Sequence, residues 1–190
     1  MSSDLDQTLL ASDSAKSWQV LILLQALLIY WAVRYTVDLN YGTVIEGVLT
    51  PIHELGHFVT QGMGQFICSL SGSLFQWGFP IAIALSFLKR ADYYAASVGL
   101  FLTGVAFNCS YIYMDSTFQM EKYPDLTFVA LGDGEASHDW QVVFGALGLY
   151  KGYAAVALAM KVLALGMIWA GVILGCWLLW RTIQLKAFKR

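Results

Sequence analysis

The chain has 190 residues, of which 58% are hydrophobic and 13% are charged, and its formal net charge is −2. A mean hydropathy of +0.60 is typical of an integral membrane protein and argues against a soluble globular enzyme. The 11 Lys and Arg residues are too few and too scattered to form a nucleic-acid-binding surface. The three cysteines include no CxxC pair, which argues against a zinc knuckle or a disulfide framework.

The sequence divides into three parts. A polar tail (1–17) comes first, a single transmembrane domain (18–182) follows, and a basic C-terminal tail (183–190) comes last. The first apolar segment, from Trp18 to about Val37, is long enough for a helix of about 30 Å, which matches the hydrocarbon thickness of a bilayer. It predicts the first transmembrane helix.

Residues 43–60 predict a second helix, which contains the sequence His53-Glu54-Leu55-Gly56-His57. In this HExxH pattern, two histidines four positions apart lie on one face of a helix and can bind one zinc ion, and the glutamate lies beside the metal. Ionisable side chains are costly inside a bilayer unless they have partners. A metal ion is the partner that fits two imidazoles and a carboxylate, and apolar residues surround the motif on both sides.

The next segment, 61–77, is interrupted by glycines and alternates polar with apolar residues, which predicts short strands or an ordered loop after the HExxH helix. Either a lining of the site or an interfacial loop is consistent with this pattern. A short apolar run follows at 79–88, and it predicts a short or re-entrant membrane segment.

Residues 91–114 predict another transmembrane helix, and the final apolar segment covers 152–180. Between them lies a long acidic connection, 115–140, of the kind that usually has a function. Its end carries His138 and Asp139, which open a short helix running to about residue 150. His138 is the only histidine outside the HExxH motif.

The predicted fold is an all-α polytopic membrane protein with about five transmembrane helices and a strand-like or loop insertion. The positively charged Lys89, Arg90 and C-terminal tail indicate cytoplasmic positions, and an odd number of spans would place the N-terminus on the other side. A GxxxG face at Gly171 and Gly175 packs either within the protein or against a second chain, so the sequence leaves both a homo- and a hetero-oligomer open.

The HExxH motif in an apolar helix, followed by a glycine-punctuated stretch and a distant acidic motif, resembles the site-2 protease group of intramembrane zinc metalloproteases, most closely its small M50B-type members. The resemblance implies a metalloprotease-like domain over 18–182 and a third zinc ligand from a distant aspartate, to which Asp139 corresponds. The usual Leu-Asp-Gly and Asn-Pro sequences are missing here, and the neighbouring His138 is an alternative ligand.

We therefore expect an integral, multi-pass protein of a cell or inner membrane that hydrolyses peptide bonds in or near the bilayer. Zn²⁺ would be held by His53, His57 and Asp139 or His138, and Glu54 would act as general base on zinc-bound water. The expected substrate is a transmembrane or membrane-proximal protein. If His138 and Asp139 both bind, the site is closed, and the protein is instead a non-proteolytic membrane scaffold or assembly subunit.

Overall fold

The structure is a computed structural model that describes residues 18–38, 40–122 and 138–187. The predicted N-terminal tail (1–17) and the 123–137 part of the acidic connection lie outside the described residues. The described residues form six α-helices: α1 (Trp18–Val37), α2 (Val44–Thr60), α3 (Gln65–Lys89), α4 (Tyr93–Ser116), α5 (Asp139–Ala146) and α6 (Tyr153–Ala187). Short 3-10 turns at Met120–Lys122 and Tyr150–Gly152 complete this all-helical architecture.

Four of the helices, α1, α3, α4 and α6, are long and apolar enough to cross a membrane. The sequence predicted about five. The helix that was counted in the prediction but is not among these four is α2. It has 17 residues and is therefore about 25 Å long, which is shorter than the roughly 30 Å of a hydrocarbon core.

The predicted strand-like or loop insertion after the HExxH helix is wrong, because α3 is one continuous helix from Gln65 to Lys89. It also contains the segment 79–88 that we expected to be a short span. Gly62 and Gly64 do form a turn, with positive φ angles of 90° and 92°. Gly72 and its serine neighbours instead lie on the buried face of α3, so their small size serves helix packing.

The last helix is longer than predicted. It continues to Ala187, into the segment 183–190 that the sequence assigned to a basic tail. The final three residues, 188–190, lie outside the described part of the chain.

Helix α4 lies at the centre of the bundle and packs against both α3 and α6. Small residues allow these close contacts: a methyl group at Gly104 would be 2.7 Å from the backbone nitrogen of Ile168. A methyl at Gly171 would likewise be 2.7 Å from the backbone of Phe101, and one at Gly175 would meet the Gln25 side chain. The GxxxG face of α6 is therefore packed within the chain.

Helix α1 runs in the same direction as α4. The Tyr94 hydroxyl at the start of α4 donates to the carbonyl of Leu21 at 3.1 Å, and Leu179 near the end of α6 packs in the same cluster. The start of α1 and the end of α6 therefore lie at one end of the bundle, together with Lys89 and Arg90, and we call this the basic end. This arrangement fits an even number of passages, whereas the sequence predicted an odd number.

Candidate metal centre

Helix α2 is fixed at its start by a capping box. The Thr43 side chain accepts a hydrogen bond from the backbone nitrogen of Ile45, and the Glu46 carboxylate accepts one from the Thr43 nitrogen at 2.7 Å. Glu46 also accepts a hydrogen bond from the hydroxyl of Tyr35 on α1. Its carboxylate therefore orients the helix that carries the HExxH motif.

Helices α2 and α3 approach each other through two glycines. A methyl group at Gly56, inside the HExxH motif, would be 2.5 Å from the carbonyl oxygen of Ser71. A methyl at Gly72 would be 2.6 Å from the Nε2 atoms of both His53 and His57. Glycine at position 56 allows the two helix backbones to lie this close, and the space at Gly72 is the space in front of both imidazoles.

Asp139, the first residue of α5, completes a three-residue cluster with His53 and His57. Its Oδ2 atom is 3.2 Å from Nε2 of His53 and 3.1 Å from Nε2 of His57. One ligand atom from each residue lies within 4.8 Å of the others, and His53 is buried while the other two are half-buried. The cluster joins positions 86 residues apart in sequence.

Two of the three ligand–ligand distances in this donor set match those of a zinc site, and the third lies within 4.8 Å. In a tetrahedral site with metal–ligand distances of about 2.0–2.1 Å, neighbouring ligand atoms are roughly 3.3 Å apart. The two histidine–aspartate distances of 3.2 and 3.1 Å are close to that separation. Two imidazoles and one carboxylate are also a combination that leaves a fourth position for water or substrate in catalytic zinc sites.

A hydrogen bond to α3 sets the tautomer of His57. Its Nδ1 atom is 2.8 Å from the carbonyl oxygen of Cys68, and because a carbonyl can only accept, Nδ1 must carry the proton. Nε2 is therefore the ring atom that faces Asp139, and it would release its proton on binding a metal ion. Metal-binding histidines are usually fixed in this way by an outer hydrogen bond.

Asp139 is held in its charged form. Burial alone would raise the pKa of Asp139, but its hydrogen bonds to His53 and His57, together with their charge, lower this pKa to about 2. Its position in the first turn of α5 adds the favourable field of a helix N-terminus. The carboxylate is therefore ionised near neutral pH, as a metal ligand must be.

The other candidate ligand, His138, faces away from this cluster and towards the end of α4. Its Nδ1 atom is 2.9 Å from the Thr117 hydroxyl, and its Nε2 atom is 3.1 Å from the Ser116 hydroxyl. Burial lowers the pKa of His138 to about 4, so the ring is neutral near pH 7. Both ring nitrogens thus already have hydrogen-bonding partners.

Glu54 and Tyr113 complete the surroundings of the cluster. Glu54 is half-exposed and follows His53 on α2, while the Tyr113 hydroxyl on α4 donates to Oδ2 of Asp139 at 3.2 Å. The charges of both Glu54 and Asp139 act on the Tyr113 phenol, so the two carboxylates share one neighbourhood with it.

The structure therefore brings together three of the four candidate metal ligands, and Glu54 directly follows the first of them on α2. Sequence reasoning missed Gly72 and Tyr113. No spacing rule marks either residue, although the glycine among serines in α3 was a sign of close helix packing. Comparisons with protein-family models, curated proteins and solved structures found no match for this chain.

Proposed function

We propose that this protein is a membrane-embedded zinc metalloprotease of the site-2 protease type. The observation that carries the proposal is the meeting of His53, His57 and Asp139, from two distant segments, with their ligand atoms within 4.8 Å of one another. Chance HExxH sequences have no reason to meet a third ligand in this way.

The arrangement of His138 supports an enzyme over a scaffold with a closed zinc site. A closed site needs a fourth protein ligand. His138 is the nearest candidate for that position, and its nitrogens are bonded to the hydroxyls of Ser116 and Thr117. Three protein ligands are the number found in catalytic zinc centres.

Each side chain then has a defined role. When bound, Zn²⁺ supplies Lewis-acid polarisation of the scissile carbonyl and lowers the pKa of water to about 7. Glu54 takes the proton from the attacking water and returns it to the leaving amine. His57, oriented by the Cys68 carbonyl, and the ionised Asp139 hold their ligand atoms towards one point.

Exposed apolar side chains on α2 support a site within the bilayer. Phe58 is 73% exposed, Val48 57% and Val59 56%, all on the helix that carries the motif. Large apolar side chains that are exposed in this way are stable when lipid covers them. We therefore treat α2 as a fifth, shorter membrane-embedded helix, and we expect substrates with a transmembrane or membrane-proximal cleavage site.

The test is cleavage by the purified protein in lipid vesicles that contain a panel of labelled single-span peptides. Glu54→Gln should retain one zinc per chain and cleave about 10²–10⁴-fold more slowly, because only proton transfer is lost. Glu121→Gln removes an exposed carboxylate from the 3-10 turn after α4 and is the matched control. Equal cleavage by Glu54→Gln and wild type, or no cleavage of any peptide by the zinc-loaded wild type, would overturn the proposal.

A further inference from the structure

Tyr113 contacts two members of the metal cluster and the neighbouring His138. Its hydroxyl donates to Oδ2 of Asp139, the same oxygen that faces both histidines. Its ring lies edge-on to the His53 ring at 5.6 Å between centroids, and it stacks on the His138 ring at 4.1 Å. One side chain of α4 thus touches a ligand from α2, the ligand from α5 and the residue preceding that ligand.

The backbone of Tyr113 belongs to the same network. Its carbonyl oxygen is 2.9 Å from the Ser116 hydroxyl and 3.1 Å from the Thr117 hydroxyl. Because the neutral His138 ring has one N–H, one of these hydroxyls donates to the carbonyl while the other donates to the ring. These are the hydroxyls that bond to the ring nitrogens of His138. The end of α4 and the start of α5 are therefore joined through Tyr113 at both its backbone and its side chain.

A carboxylate ligand needs this kind of support because its side chain can rotate about two bonds. Asp139 belongs to a helix of only eight residues, and Trp140, Val143 and Phe144 anchor that helix in an apolar cluster. These apolar contacts fix the helix but do not choose the direction of the carboxylate. A hydrogen bond from the Tyr113 phenol to the ionised carboxylate favours one direction, and its 3.2 Å length leaves room for it to shorten when a ligand position is fixed.

We infer that Tyr113 is a positioning residue of the metal centre, which holds Oδ2 of Asp139 towards His53 and His57 for binding a divalent cation. The inference rests on the proposed metal site and deepens it. Ligating carboxylates are commonly held by outer hydrogen bonds, and loss of such a bond weakens metal affinity about 10–100-fold. The alternative is that Tyr113 only fills space between α4 and α5.

The test measures zinc affinity by competition with a chelating dye, together with the visible absorption spectrum of the Co²⁺-loaded protein. Tyr113→Phe keeps the ring and removes the hydroxyl, so we expect about 10–100-fold weaker zinc binding and a changed Co²⁺ spectrum. Tyr113→Leu also removes the stacking on His138, and it should weaken binding at least as much.

Tyr150→Phe is the matched control, because the Tyr150 hydroxyl also donates to α5, at the Gln141 carbonyl 3.1 Å away, but does not touch a ligand. It should bind zinc as the wild type does. If Tyr113→Phe lowers the Tm of the metal-free protein but leaves zinc affinity and the Co²⁺ spectrum unchanged, the residue has only a packing role and the inference fails. If the wild type binds neither ion, the proposed function itself fails.

Discussion

Gly72 of α3 lies so close to His57 of α2 that a methyl group on its Cα would be 2.6 Å from the Nε2 atom of that imidazole. The same methyl would be 2.6 Å from Nε2 of His53. The absence of a side chain at position 72 is therefore a requirement of the site, since both donor atoms face that space.

Gly72→Ala should weaken zinc binding by about 100-fold or more, the upper range for changes beside metal ligands, because the new methyl group displaces both imidazoles. Gly78→Ala is the matched control on the same helix, since a methyl there meets nothing within 4 Å. That control should keep its zinc and gain about 0.5–1 kcal/mol of stability from replacing a helical glycine. Zinc per chain and Tm should be measured on both variants. If Gly72→Ala bound zinc as tightly as the wild type, the close approach of Gly72 to the imidazoles would not matter for the site.

Asp139→Ala and His138→Ala should separate the two candidate third ligands. Asp139→Ala removes the oxygen that faces both histidines, so purified protein should contain no stoichiometric zinc. His138→Ala should keep its zinc, because the ring nitrogens of His138 bond to hydroxyls of α4. Elemental analysis of both purified variants shows which of them has lost its zinc. Zinc loss from His138→Ala alone would assign the third ligand to His138.

Glu46→Ala should destabilise the protein without affecting the metal. The carboxylate accepts hydrogen bonds from Tyr35 and from the backbone and side chain of Thr43, and loss of a helix cap costs about 0.5–2 kcal/mol. Thermal unfolding should therefore begin at a lower temperature, while zinc per chain at 25 °C stays at the wild-type value. A loss of zinc in the folded variant would show that Glu46 supports the site directly.

Cysteine labelling tests the four-passage arrangement. Single cysteines replace Arg90, Lys151 and Lys186 in a chain whose three native cysteines are alanine. Arg90 and Lys186 belong to the basic end, which the distribution of positive charge predicts to be cytoplasmic. Lys151 lies at the other end, where Tyr153 packs on Phe118. An impermeant thiol reagent outside the cell should label only position 151. Labelling of 90 and 186 from opposite sides would contradict the fold.

The sequence predicted those parts of the fold that depend on local pattern. The apolar segment Trp18–Val37 is a helix with the predicted bounds, and the motif helix differs by one residue at its start. The prediction for 61–77 failed because glycine has two uses. Gly62 and Gly64 make a turn, as predicted, whereas Gly72 allows a close helix contact, and the sequence does not distinguish a glycine that breaks a helix from one that packs it.

The residues of the candidate site also fall into those that local sequence predicts and those that it does not. His53, Glu54 and His57 could be found from their spacing on one helix, because that spacing is local. The polar pair His138 and Asp139 could be found from the sequence, but the family resemblance was what pointed to Asp139 as a ligand, with His138 as the alternative. Tyr113 could not be found, because its contacts depend on how α4 packs against α2 and α5. Tertiary packing, which has no signature in a single sequence, brings Asp139 and Tyr113 together.

The 86-residue separation between His53 and Asp139 has a mechanical consequence. A cation bound to both would act as a cross-link that closes a long loop of chain, and the entropy cost of closing such a loop grows with its length. The short helix α5 would then be fastened to α2 by the ion as well as by its own apolar contacts. Chelation should therefore loosen α5 first, which amide hydrogen exchange at Val142–Ala146 would report as faster exchange, while the centre of α4 stays protected.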